Sequence, residues 1–221
     1  MHGPRGPVFE NVDLDVPAGG LLVAHGPAGS GRTALLLALA ARMRLTTGVV
    51  RVGGATAPGR GAHRIRRRVA IARADAALEL EGRLSVAELV AERRWTDRAV
   101  TVRGVVTAAR LLGLRLRGST LAEDLDPLEA LLFATALALA AGPAALVVDN
   151  VGRGCPDPDR HRAWQALQAV CATGCTVLSS ATQPPEDPAP GTVLLDLPRR
   201  SATRLPAPRP ARRPRDLAAR G

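Results

Sequence analysis

The chain has 221 residues, enough for one well-buried core with a small subdomain, and its 46% apolar content excludes a disordered protein. All 30 basic residues that make the net charge of +10 are arginine, with no lysine and no tyrosine, the pattern of a GC-rich coding sequence. Residues 199–221 hold eight arginines and one aspartate, +7, which leaves +3 for residues 1–198, so much of the basic balance belongs to a tail.

Along the chain, the start MHGPRGPVFE shows no apolar leader region. Residues 8–16 (VFENVDLDV) alternate loosely and predict an edge strand ending at Pro17-Ala18-Gly19-Gly20. The short apolar run 21–25 (LLVAH) predicts a buried central strand. Gly26 to Thr33 follows, then a helical run, ALLLALAAR. Residues 48–54 read as a strand entering a turn, 63–68 as a basic cluster, and the VAIA after it as another short strand. Ser85 with Glu88 three residues on is a capping box, opening a helix to about Arg94, with a further helix over 98–112. Asp126 followed by Pro127 is a second helix start.

The uncharged stretch Ala130 to Val148 approaches a spanning length, but Gly142-Pro143 cuts it. It therefore predicts a helix to Gly142 and a short buried strand over 144–149. A helix over 158–172 and a strand over 176–181 complete the pattern. Strands alternating with helices predict an α/β fold with a mostly parallel sheet covered on both faces. From 199 the Pro-, Ala- and Arg-rich composition predicts disorder.

Two places carry chemistry. Gly26-Pro27-Ala28-Gly29-Ser30-Gly31-Arg32-Thr33 fits G-x-x-x-x-G-K-[ST] except for Arg32 at the lysine position. Glycines let the backbone wrap an anion, the helix start points N–H groups at it, and Thr33 offers a hydroxyl to Mg²⁺. Arg32 keeps the charge but is forked and bulkier than lysine. Ala145 to Val148 is an apolar strand ending at Asp149, where a P-loop protein holds its metal shell. The three cysteines, 155, 171 and 175, form no CxxC pair. With His161 near, a metal site is conceivable, but small apolar residues near a helix end is the favoured reading.

Together these parts resemble the ATP-binding-cassette (ABC) ATPases, P-loop NTPases, across residues 8–198. The order of Val16-Pro17-Ala18-Gly19, the loop, the Thr47 to Gly54 turn, a helical subdomain at about 75–125, a helix and the acidic strand is that family's. The resemblance implies a P-loop fold with N-terminal antiparallel strands. It implies ATP and Mg²⁺ as cofactors, with Gly26 to Thr33 on the phosphates and Thr33 and Asp149 on the metal. It also implies a membrane permease partner, pairing with itself or another ABC ATPase subunit, and a cytoplasmic place on the inner membrane face.

The reactive positions depart from the family. Asn150 stands where the family has its catalytic Glu, and Thr182 at or next to its switch His. No Gln lies between Thr33 and Gln165. Leu125-Asp126-Pro127-Leu128-Glu129 replaces Leu-Ser-Gly-Gly-Gln. These losses predict weak or absent hydrolysis, since an amide cannot serve as a carboxylate base. The alternative is a non-transport P-loop regulator or nucleic-acid-associated protein using the Arg-rich tail. That tail has no aromatics to stack bases, so nucleic acid is the less favoured partner.

Overall fold

In a computed structural model, residues 2–3, 6–74 and 78–198 are described. The expectation for the 199–221 tail lies outside them. The elements run β1 (His2–Gly3), β2 (Gly6–Pro7), β3 (Leu21–His25), α1 (Arg32–Leu39), β4 (Val50–Val52), β5 (Ala55–Ala57), α2 (Gly61–Arg68) and β6 (Val69–Arg73). After these come α3 (Val86–Thr96), α4 (Val102–Leu111), α5 (Pro127–Leu139), β7 (Ala145–Val148), α6 (Asp157–Ala172), β8 (Thr176–Ala181) and β9 (Val193–Asp196).

The main sheet has the order β6-β7-β8-β3-β9, and every neighbouring pair in it is parallel. Helices cover both of its faces, which is why β3, β7 and β8 are short apolar runs rather than alternating ones. Leu22, Val23, Leu146, Val147 and Val148 are all fully buried. Two small antiparallel pairs, β1-β2 and β4-β5, lie outside it, the second turning at Gly53-Gly54.

The expected strand over 8–16 does not form. Asn11 takes a left-handed backbone (φ 53), which breaks a β run. The segment instead lays side chains on the core: Phe9 and Val12 beside Ala24 and Leu35, and Leu14 and Val16 beside Leu22 and Leu36.

Both predicted helix starts form. Ser85 Oγ accepts from Glu88 N at 3.3 Å while Ser85 N donates to Glu88 Oε2 at 2.8 Å. Asp126 Oδ1 accepts from Glu129 N at 2.7 Å, with Pro127 at the first helical position. α5 ends at Leu139, three residues before the expected stop at Gly142. It is apolar all round because it is buried all round. Phe133, Leu131 and Ala136 are buried, and its one polar interior residue, Thr135, donates to Leu131 O at 2.7 Å. α5 joins α3 and α4 to the sheet in one apolar cluster that runs from Leu89 and Val105 through Phe133 to Leu146 and Val148. Among the described residues no helix is long and apolar enough to cross a membrane.

Candidate functional site: the loop after β3

In a parallel sheet the strand carboxyl ends share one edge, and side chains that follow the strands meet there. Here the ends of β3, β7 and β8 bring together Gly26 to Thr33, Asp149 with Asn150, and Ala181 with Thr182. The loop turns through left-handed glycines at Gly26, Gly29 and Gly31 (φ 145, 80 and 95). Two of them are held closely. A Cβ on Gly26 would lie 2.1 Å from Leu197 O, and one on Gly31 would lie 2.3 Å from Val8 O. Gly29 has open space around it. The loop is therefore pinned at both ends and free at its crest.

Asp149 is fully buried and both of its carboxylate oxygens are engaged. Oδ2 accepts from Thr33 Oγ1 at 2.6 Å and Oδ1 accepts from Ser180 Oγ. Ser180 also accepts from Asn150 N at 3.0 Å, and its carbonyl accepts from Val151 N at 2.8 Å. One serine thus fixes the carboxylate and the turn after it, where Asn150 sits at φ 49.

Arg32 is buried, and its guanidinium folds back across the loop. Nη1 donates to the carbonyls of Gly26 and of Ala181, the latter at 2.6 Å. Nη2 donates to Asn150 Oδ1 at 2.9 Å. The forked head ties the loop to the ends of β7 and β8 at once, which a single ammonium would not do with the same geometry. Ser30 is 3% exposed and its Oγ is buried without a hydrogen-bond partner in the protein.

The structure therefore gathers Gly26 to Thr33, Asp149 and Asn150 into one site. Thr182, just past β8, is exposed beside Ala181, and no hydrogen bond ties it to Arg32 or Asn150. Ser180 was not singled out in the sequence, although two consecutive serines in the apolar run TVLSSA were its signal. The other serine, Ser179, donates to Leu22 O at 2.6 Å and ties β8 to β3. Asp126 and Glu129 spend their hydrogen bonds on the start of α5. The three cysteines are free, and among the described residues no cluster of three His, Cys, Asp or Glu could hold a metal.

The family model for ABC transporters matches residues 9–126, just over half of the chain. The chain belongs to the ABC transporter family. Among curated relatives, the taurine import ATP-binding protein TauB of Pseudomonas syringae pv. tomato is 40% identical over 62 residues, which cover 28% of this chain and 24% of TauB. The hemin import ATP-binding protein HmuV of Streptomyces coelicolor is 46% identical over 54 residues, 24% of this chain and 19% of HmuV. The matched segments thus span a quarter or less of those relatives. The fold is that of solved ABC cassettes. An ABC transporter ATP-binding protein from Pyrococcus furiosus aligns with TM-score 0.72 at 16% identity, covering 88% of this chain and 92% of that one. The dimeric cassette MJ0796 bound to ADP and Pi aligns with TM-score 0.65 at 19% identity, covering 80% of each chain.

Proposed function

We propose that the chain is the ATP-binding subunit of an ABC import system, holding Mg-ATP at Gly26 to Thr33 and docking on a membrane permease from the cytoplasmic side. The observation that carries this reading is the Thr33 hydroxyl 2.6 Å from the buried Asp149 carboxylate, directly after a glycine loop. That pairing of a hydroxyl and a carboxylate suits a magnesium shell, with Thr33 and Asp149 as its protein side. The bound metal would neutralise phosphate charge. The unpartnered Ser30 Oγ gives a phosphate oxygen a donor inside the loop. Import is suggested by the names of TauB and HmuV.

Residues 1–198 would act as one nucleotide-binding domain, with 75–125 as its helical subdomain. Pairing with a second copy, or with another ABC ATPase subunit, fits the dimeric state of MJ0796. An apolar cleft of about 330 Å³ on the helical side, walled by Val86, Val90, Val105 and Phe133, offers surface for the permease. Hydrolysis is weak in this reading. Asn150 can orient a water but cannot take its proton, Thr182 replaces a histidine, and the Asp126 and Glu129 side chains serve the start of α5 instead of a partner's phosphate.

Calorimetric titration of Mg-ATP into the purified chain tests the nucleotide assignment, with Gly29→Asp as the variant that should lose binding. Equal heats from both proteins would place the nucleotide elsewhere. Co-purification with a permease encoded beside the chain tests the docking.

A further inference from the structure

The near-balance of residues 1–198 conceals a sharply one-sided segment. Residues 16–74 hold ten arginines and not one aspartate or glutamate. The fold gathers part of that charge at the far end of α1 from the phosphate loop. There a cleft of about 320 Å³ has an apolar floor, including Ala38, Val50 and Ala62, and a rim that carries Arg42, Arg44 and Arg66. All three arginines are exposed, so their heads are free to turn to a ligand. None of them makes an ion pair with a described carboxylate.

A further arginine, outside the lining of the cleft, adds to the charge around Arg42. Arg93, on α3, has its Nε buried with no hydrogen-bond partner. Partial desolvation, with Arg66 and Arg93 as like-charged neighbours, holds the pKa of Arg42 below the usual arginine value. Like charges crowded in a partly dry cleft repel one another unless something of opposite sign lies among them. Guanidinium forks converging from separate elements are the donor set that matches the oxygens of a phosphate.

We propose that this cleft is an anion site, distinct from the P-loop, which takes a phosphate-class dianion or polyanion between Arg42, Arg44 and Arg66. The ligand is either a soluble phosphorylated compound or the headgroup of an anionic phospholipid. The reading does not depend on nucleotide binding, because the cleft lies at the opposite end of α1.

The test uses the full chain and Arg42→Gln/Arg66→Gln. A charge-matched control, Arg98→Gln/Arg117→Gln, removes two exposed arginines from the helical side. Pyrophosphate is titrated calorimetrically, and binding to vesicles of phosphatidylcholine with and without phosphatidylglycerol is followed by flotation. The proposal expects the cleft variant to lose one pyrophosphate site per chain, or to bind phosphatidylglycerol vesicles about tenfold or more weakly, the scale of losing two charge-assisted partners. The control should keep wild-type binding. Loss in the first arm alone assigns a soluble anion, and loss in the second alone assigns a headgroup. Thermal denaturation shows that the cleft variant is folded, and removal of like charges should leave it at least as stable as the wild type without ligand. Equal binding by wild type and cleft variant in both arms overturns the proposal. So does an equal loss in the control, which would reduce the effect to net charge.

Discussion

Arg32 Nη2 donates to Asn150 Oδ1 at 2.9 Å across 118 residues of sequence, so the arginine of the glycine loop is locked to the residue that follows Asp149. The same guanidinium caps the carbonyls of Gly26 and Ala181. Arg32→Lys places one compact ammonium where a fork bridged three acceptors, and it leaves at least one buried acceptor unpaired. That costs about 1–3 kcal/mol. The melting temperature of the free protein should fall by about 2–10 °C for a chain of this size. An unchanged melting temperature would mean that the three bonds contribute nothing to the resting fold.

The glycines of the loop separate folding from binding. At Gly31 any Cβ meets Val8 O at 2.3 Å, so Gly31→Asp should unfold the start of the domain as well as block the loop. At Gly29 the space is open and only the backbone at φ 80 objects, at about 1–2 kcal/mol. Gly29→Asp should keep a cooperative melt within about 8 °C of wild type. It should also lose Mg-ATP, because a carboxylate stands where phosphate oxygens would approach. Circular dichroism melts beside calorimetry check both halves. A Gly29→Asp protein that binds ATP normally would remove the loop from consideration.

Ser180 carries more than its size suggests. Ser180→Ala strips one donor from the fully buried Asp149 carboxylate and one acceptor from Asn150 N–H. The loss should be about 1–3 kcal/mol or more, because a charged group is left short of a partner. Denaturant unfolding measures it. Ser179→Ala serves as comparison, removing a single neutral bond to Leu22 O, and it should cost less. The reverse ranking would show that Asp149 does not rely on Ser180.

What could be read in the sequence was local. Ser85 and Asp126 announced their helices because a cap and its partner lie three residues apart, and the loop announced itself because glycine spacing and flanking apolar runs sit within a dozen positions. The strand expected at 8–16 failed because its alternation was loose and Asn11 could turn left-handed, which no neighbour in sequence forbids. The ties that make the site were invisible for a different reason. Arg32 reaches Ala181 across 149 residues, and Ser180 reaches Asp149 across 31. Only sheet order brings them together. The basic cleft was hidden by averaging, since its arginines are offset in a total charge by carboxylates that lie elsewhere in the fold.

Cys175 is buried between α6 and β8, and desolvation pushes its thiol up to about 11 from 9.0, with Cys171 adding to the rise. A thiol whose folded pKa is raised contributes stability that is complete below the unfolded value and is lost as pH rises through the folded one. Denaturant midpoints should therefore be insensitive to this group below about pH 9 and should decline from about pH 9 to 11. Cys175→Ala should flatten that decline. An unaltered alkaline slope in the variant would show that the thiol does not titrate with unfolding.

The last prediction concerns turnover. A phosphate grip alone does not hydrolyse ATP, which also needs a positioned water and somewhere for its proton to go. The proposed function puts Asn150 in place of a carboxylate, and on that reading turnover should lie about 10²–10⁴ below that of an intact family member. The Arg32–Asn150 contact adds a condition. In Asn150→Glu the new carboxylate faces a guanidinium held at hydrogen-bond distance, so it forms an ion pair and its basicity falls. Neither Asn150→Glu nor Arg32→Lys should raise the rate alone. The double variant, with a base and without the fork that captures it, should be the first to rise. Phosphate release by the four proteins, each freed of contaminating ATPases, measures this, with Asp149→Asn in the double variant as the background. A rise in Asn150→Glu alone, abolished by Asp149→Asn, would show that Arg32 releases residue 150 when nucleotide arrives and that the amide is the one missing part.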